Sequence, residues 1–110
     1  MDDLNIITNN EDSLAQALAG LYNVYDPEIG LNIVDLGLLY QIQFDEEGRK
    51  LACIMTLTSQ FCPMGEAITT DTTNSLTSSF PGWEIQVDLT FDPPWSADKI
   101  TPTGREYLGQ

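Results

Sequence analysis

The chain has 110 residues, 17 acidic side chains against 4 basic ones, no histidine and two cysteines. That length fits a single domain, and a net charge of −13 disfavours a nucleic-acid backbone or an anionic membrane as a partner. Without histidine, Ser-His-Asp and Cys-His catalysis and histidine zinc sites drop out, and two cysteines are too few for a metal centre built from cysteines alone within one chain.

The opening MDDLNIITNN has neither the basic stretch nor the apolar core of a secretory signal. Nowhere is an apolar run long enough to span a bilayer, so free thiols in a cytoplasmic setting are expected. Residues 1–10 read as a flexible polar segment and 11–110 as one domain. Ser13 or Asp12 is a candidate cap for a first helix whose apolar residues Leu14, Ala17, Leu18 and Leu21 recur at helical spacing. Asp26-Pro27 ends that pattern, because proline disfavours helical backbone at the residue before it.

Further on, Leu38, Tyr40, Ile42 and Phe44 alternate with Leu39, Gln41 and Gln43, the pattern of a half-buried strand. The run 45–49 predicts a hairpin turn with Gly48 at a positive φ. In the partner strand Leu51, Cys53, Met55 and Leu57 share one face, which makes Cys53 a packing residue. After a loop at 59–63, Met64, Ile68, Thr72, Leu76 and Phe80 recur every four residues and predict a helix. Its Thr and Ser content gives poor propensity, so packing must hold it. Residues 84–91 alternate again, with Ile85, Val87, Leu89 and Phe91 expected inward. Thr101 as cap, Pro102 at the first position and Gly109 past the end frame a short last helix. The order predicts an α+β fold, a small three- or four-stranded sheet with helices on one face.

Chemistry concentrates at Cys62, which follows a strand and stands just before a helix. Unpaired N–H groups there would lower a thiol pKa, while Glu66 one turn on opposes a thiolate. The plainer reading, a small buried hydrophobe, stays open. Asp26, Glu28 and Asp35 stand in turns, where carboxylates commonly serve the backbone. Trp95, in the stiff loop Asp92-Pro93-Pro94-Trp95-Ser96, either closes the core, lines a pocket around Cys62 or offers a partner surface. The basic residues Arg49, Lys50, Lys99 and Arg105 form no patch along the sequence.

Four segments occur in order: Val24-Tyr25-Asp26-Pro27-Glu28-Ile29-Gly30, Asn32 to Tyr40, Met55-Thr56-Leu57-Thr58 with Cys62-Pro63, and Phe91-Asp92-Pro93-Pro94-Trp95-Ser96. Together the chain resembles the SufT/PaaD-like iron–sulfur cluster assembly factors, which include eukaryotic cytosolic assembly factors, over about residues 11–109. The resemblance implies a fold like the carboxy-terminal domain of NifU and a non-enzymatic role in maturing iron–sulfur proteins. It places the reactive cysteine at Cys62, supporting acidic residues at Asp26 and Glu28, and a supporting threonine at Thr58. Where many relatives carry a small Pro-Gly-type turn, this chain has Gln60-Phe61, which makes Phe61 a residue able to shield the thiol. Phe61 and Trp95 are then the expected pocket or partner surface.

One thiolate cannot hold a cluster that wants about four ligands. Transient ligation of iron or a cluster at Cys62, or adaptor work without any metal, is therefore expected, with no firmly bound cofactor. Completion would come from a second subunit in a homodimer or from cysteines of the assembly machinery and client apoproteins. Two alternatives stand beside this reading. One is an accessory subunit of a phenylacetate-type multicomponent oxygenase, suggested by the PaaD branch. The weaker one is a thiol-dependent enzyme, which lacks a histidine base and a Cys-X-X-Cys pair.

Overall fold

A computed structural model describes residues 6–58 and 65–109. At the start Ile7–Thr8 forms a short strand, β1, paired in parallel with Gln41 and Ile42. The side chain of Asn9 prolongs that pairing, since its Nδ2 donates to Phe44 O at 2.8 Å and its Oδ1 accepts from Phe44 N at 2.9 Å. Asn10 then caps helix α1 (Glu11–Leu21), its Oδ1 accepting from Ser13 N. Polar composition predicts fraying through residue 10, and residues 7–10 are instead tied to the sheet and to the helix end. The cap likewise falls on Asn10 rather than on Asp12 or Ser13.

Two short strands, β2 (Tyr25–Asp26) and β3 (Leu31–Asn32), form a separate antiparallel ribbon that hydrophobic alternation did not reveal. The main sheet continues with β4 (Leu39–Asp45) and β5 (Lys50–Met55), then helix α2 (Gly65–Ser79), β6 (Glu84–Leu89), a 3-10 turn at Ala97–Lys99 and α3 (Pro102–Tyr107). Strand order is β1-β4-β5-β6, with the antiparallel β4–β5 hairpin flanked by a parallel partner on each side.

In β5 Leu51, Cys53 and Met55 all point into the core, as alternation predicts. In β4 the register shifts between Leu39 and Gln41, so Leu39 opposes Met55 while Gln41 opposes Ile54. This bulge at Tyr40 puts Leu39 inward and turns Tyr40 out, against the strict alternation expected. At the hairpin, Arg49 rather than Gly48 takes the positive φ, at 52°. Gly48 has a different reason: a Cβ there would lie 2.7 Å from Asp45 Oδ2, and Asp45 Oδ1 accepts the Gly48 N–H.

Helices α1 and α2 pack together and cover one face of the sheet, meeting at Gly20, where a Cβ would lie 2.7 Å from Ser75 Oγ. Within α2 the buried Thr72 hydroxyl donates to Ile68 O at 2.8 Å, which reconciles a polar side chain with a core position. Phe80 closes the helix by packing with Phe44 and Trp83, centroids 5.5 and 5.4 Å away. Leu89, expected inward, is 43% exposed because β6 is the sheet edge. Thr101, Pro102 and Gly109 frame α3 as predicted, the Thr101 hydroxyl accepting from Gly104 N.

Candidate functional site

Strand β5 settles the first of the two cysteines. Cys53 is fully buried, and burial, with the Asp88 carboxylate adding to it, pushes its thiol up to about 12. It is a packing residue, as its alternation predicts. Cys62 and Phe61 lie outside the described residues. The points from which their segment departs and returns are well defined. Thr56 is buried and donates its N–H to Leu38 O at 2.8 Å, while Thr58 is half-buried in the bend after the strand. Leu57 Cδ1 lies 2.6 Å from where a Cβ of Gly65 would stand. A side chain at Gly65 would displace the tip of Leu57, so the end of the strand packs directly on the first residue of α2.

Asp26 is buried in β2, where its Oδ1 accepts the Glu28 N–H at 2.9 Å and its carbonyl accepts from Gly30 N at 2.7 Å. This carboxylate shapes its own turn, the role short acidic side chains commonly take in turns. Glu28 is exposed on that turn. Gly30, at φ 81°, supplies the left-handed residue the ribbon needs.

Trp95 is half-buried against the core, and its indole N–H donates to Leu36 O at 2.6 Å. Tyr40, turned outward by the bulge, donates its hydroxyl to Pro93 O at 2.8 Å. The loop after β6 is thereby fastened at two points, and Trp95 closes the edge of the core.

Asp35, read from sequence as a turn residue, is the hub of this end of the molecule. Its Oδ2 accepts from Asn32 Nδ2 at 2.8 Å and its Oδ1 from Thr101 Oγ1 at 2.7 Å. Its carbonyl accepts from Thr101 N at 2.9 Å. Gly37 (φ 77°) continues the turn, and a Cβ there would run into the Lys99 carbonyl.

Sequence reasoning missed a cavity of about 630 Å³ lined by Val34, Leu39, Tyr40, Lys99, Ile100 and Arg105 among others. Two of the four basic residues, Lys99 and Arg105, face one space. The available signal was their placement in a single short stretch of an acidic chain. Among the described residues, no three cysteine, aspartate or glutamate side chains form a metal-binding group, and no helix is long and apolar enough to cross a membrane.

The sequence and the fold have counterparts in known proteins. Residues 14–89 match the family described as iron–sulfur cluster assembly protein. The chain is 35% identical to the Fe-S protein maturation auxiliary factor YitW of Bacillus subtilis, over 90% of this chain and 97% of that protein. It is 41% identical to the Fe-S protein maturation auxiliary factor SufT of Staphylococcus aureus, over 78% and 97%. A domain of unknown function from Bacillus anthracis superposes with a TM-score of 0.83 at 36% identity, covering 90% of this chain and 93% of the other. A conserved hypothetical protein from Thermotoga maritima gives 0.73 at 36% identity, covering 87% and 93%. The chain belongs to the iron–sulfur cluster assembly protein family.

Proposed function

We propose that the protein is a cytoplasmic auxiliary factor of iron–sulfur protein maturation and not an enzyme. Its Cys62 thiolate would ligate iron or a cluster transiently, between the assembly machinery and client apoproteins. Family membership and relatives named as maturation auxiliary factors support the role. The observation that carries the residue assignment is the state of Cys53: buried and held protonated, it leaves Cys62 as the chain's other source of a thiolate. Because a cluster wants about four ligands, the remaining ones would come from a partner or from Cys62 of a second copy.

Asp26 is given a shaping role, holding the turn that presents Glu28. Glu28 would supply an oxygen ligand to iron or position the Cys62 loop. Thr58 stands at the departure point of that loop, and Phe61 with the ring of Trp95 would form the surface a partner meets. The indole N–H of Trp95 is already used on Leu36, so its contribution to a partner is apolar area.

The test is complementation of a deletion strain with wild type, Cys53→Ala and Cys62→Ser, reading aconitase activity in extracts. Cys62→Ser is expected at the level of the deletion and Cys53→Ala near wild type; undiminished activity with Cys62→Ser would sink the assignment. In the folded protein at pH 8, a thiol reagent should modify Cys62 and leave Cys53 unmodified. The Cys53 thiol is raised from 9.0 to about 12 on folding, so its contribution to stability is complete below pH 9. That contribution declines as pH climbs toward 12, because the unfolded chain ionises first.

A further inference from the structure

We propose that the cavity between the start of β4 and residues 96–105 binds a monocarboxylate with an aliphatic body. Its volume of about 630 Å³ is that of a small-molecule site, and Val34, Leu39 and Ile100 give it apolar walls. The chain carries 17 carboxylates, yet among the described residues neither Lys99 nor Arg105 has one as an ion-pair partner. Each is held in place by other means. The Lys99 ammonium stands 5.2 Å from the centroid of the Tyr40 ring. Arg105 donates from Nε to Ile100 O and from one Nη to Ala97 O, both at 3.2 Å, which orients the guanidinium and leaves further N–H donors.

Ser96 adds a hydroxyl to the wall that makes no capping bond to its own 3-10 turn. The hydroxyls of Tyr40 and Thr101 are committed to Pro93 O and Asp35 Oδ1, so they shape the wall. Two features limit the charge of the occupant. Asp98 lines the same cavity, and the chain as a whole is at −13. Both repel a second negative charge, which favours a carboxylate over a phosphate dianion. This inference does not depend on Cys62, so either can fail alone.

The experiment is an NMR titration of the ¹⁵N-labelled full chain with hexanoate, hexanol, hexyl phosphate, and an acetylated peptide ending in leucine as free acid or amide. Hexanoate or the free-acid peptide should shift the amides of Gly37, Lys99 and Ile100, and the tighter of the two identifies a free acid or a chain terminus as the source. Lys99→Gln, which forfeits no hydrogen bond, should weaken binding about tenfold, the size of a lost charge-assisted contact. Asp98→Asn should tighten it about twofold, a gain that partial unfolding cannot imitate. The proposal is overturned by equal binding of hexanol, by tighter binding of hexyl phosphate, by indifference to Lys99→Gln, or by no saturable shift with either carboxylate.

Discussion

In the core shared by α1, α2, β4 and β5, the buried side chains include Leu18, Leu21, Ile42, Leu51, Met55, Ile68 and Leu76. At the other end, where the 31–37 turn meets residues 93–104, Asp35, Asn32 and Thr101 are buried beside Val34, Leu36 and Ile100. The first region is held by shape and area, and its buried Thr72 hydroxyl is answered within its own helix. The second is held by hydrogen bonds between residues far apart in the chain, such as Thr101 to Asp35 and Trp95 to Leu36. Apolar packing tolerates small shifts of position, whereas buried polar groups demand particular partners. The difference explains why the cavity with Lys99 and Arg105 lies at the polar end, where the backbone is fixed by bonds rather than filled by side chains.

Truncating the apolar core should have the largest effect. Ile42 is fully buried in β4, and Ile42→Ala should cost about 3 kcal/mol in urea unfolding, from lost transfer energy plus the cavity left behind. Hydrogen exchange should then quicken across the whole sheet together. A cost under about 0.5 kcal/mol would show that this region is not the main source of stability.

Removing the hub of the polar end should cost less but act locally. Asp35→Ala strips the acceptor from Asn32 Nδ2 and Thr101 Oγ1, and two stranded donors predict a loss of roughly 2 kcal/mol. Exchange should quicken first at residues 99–104, with β4 and β5 protected as before. Adding Thr101→Val removes one of the stranded donors but also the α3 cap, so the double variant should lose less than the sum of the two single losses. Strict additivity of the two substitutions would break the picture of a coupled network.

The same contrast governs what could be read from sequence. The stripe of α1, the inward face of β5 and the caps of α3 were legible because each is written in local spacing. Cys53 was legible for the same reason: its neighbours Leu51 and Met55 announce the face. The Tyr40 bulge was not, since one unpaired residue reverses the phase of the alternation without any mark in composition. Leu89 misled because alternation says which side a residue takes, while exposure depends on β6 being the edge strand. Asp35 was recognised as a turn former, but its tie to Thr101 spans most of the chain and has no local signature. At the candidate site, Asp26 is legible as a turn residue with its neighbour Glu28, whereas the approach of Leu57 to Gly65 follows only from the packing of a strand end on a helix start.

The smallest effect should come from Trp95→Phe, at a residue that belongs to both regions: its ring packs on the apolar core and its N–H serves the polar end. Trp95→Phe keeps most of the apolar area and removes the donor to Leu36 O, so the expected loss is about 1 kcal/mol. Leu36 is buried, which makes its carbonyl dependent on that donor. Trp95→Ala removes both contributions and should cost clearly more, about 3 kcal/mol, if packing dominates. Calorimetry on the two variants therefore apportions the residue. Near-equal losses would place Trp95 wholly with the hydrogen-bonded end, and the half-buried ring would then be available for a partner at little cost to the fold. A large difference would instead bind the ring to the core and move the expected partner surface away from it.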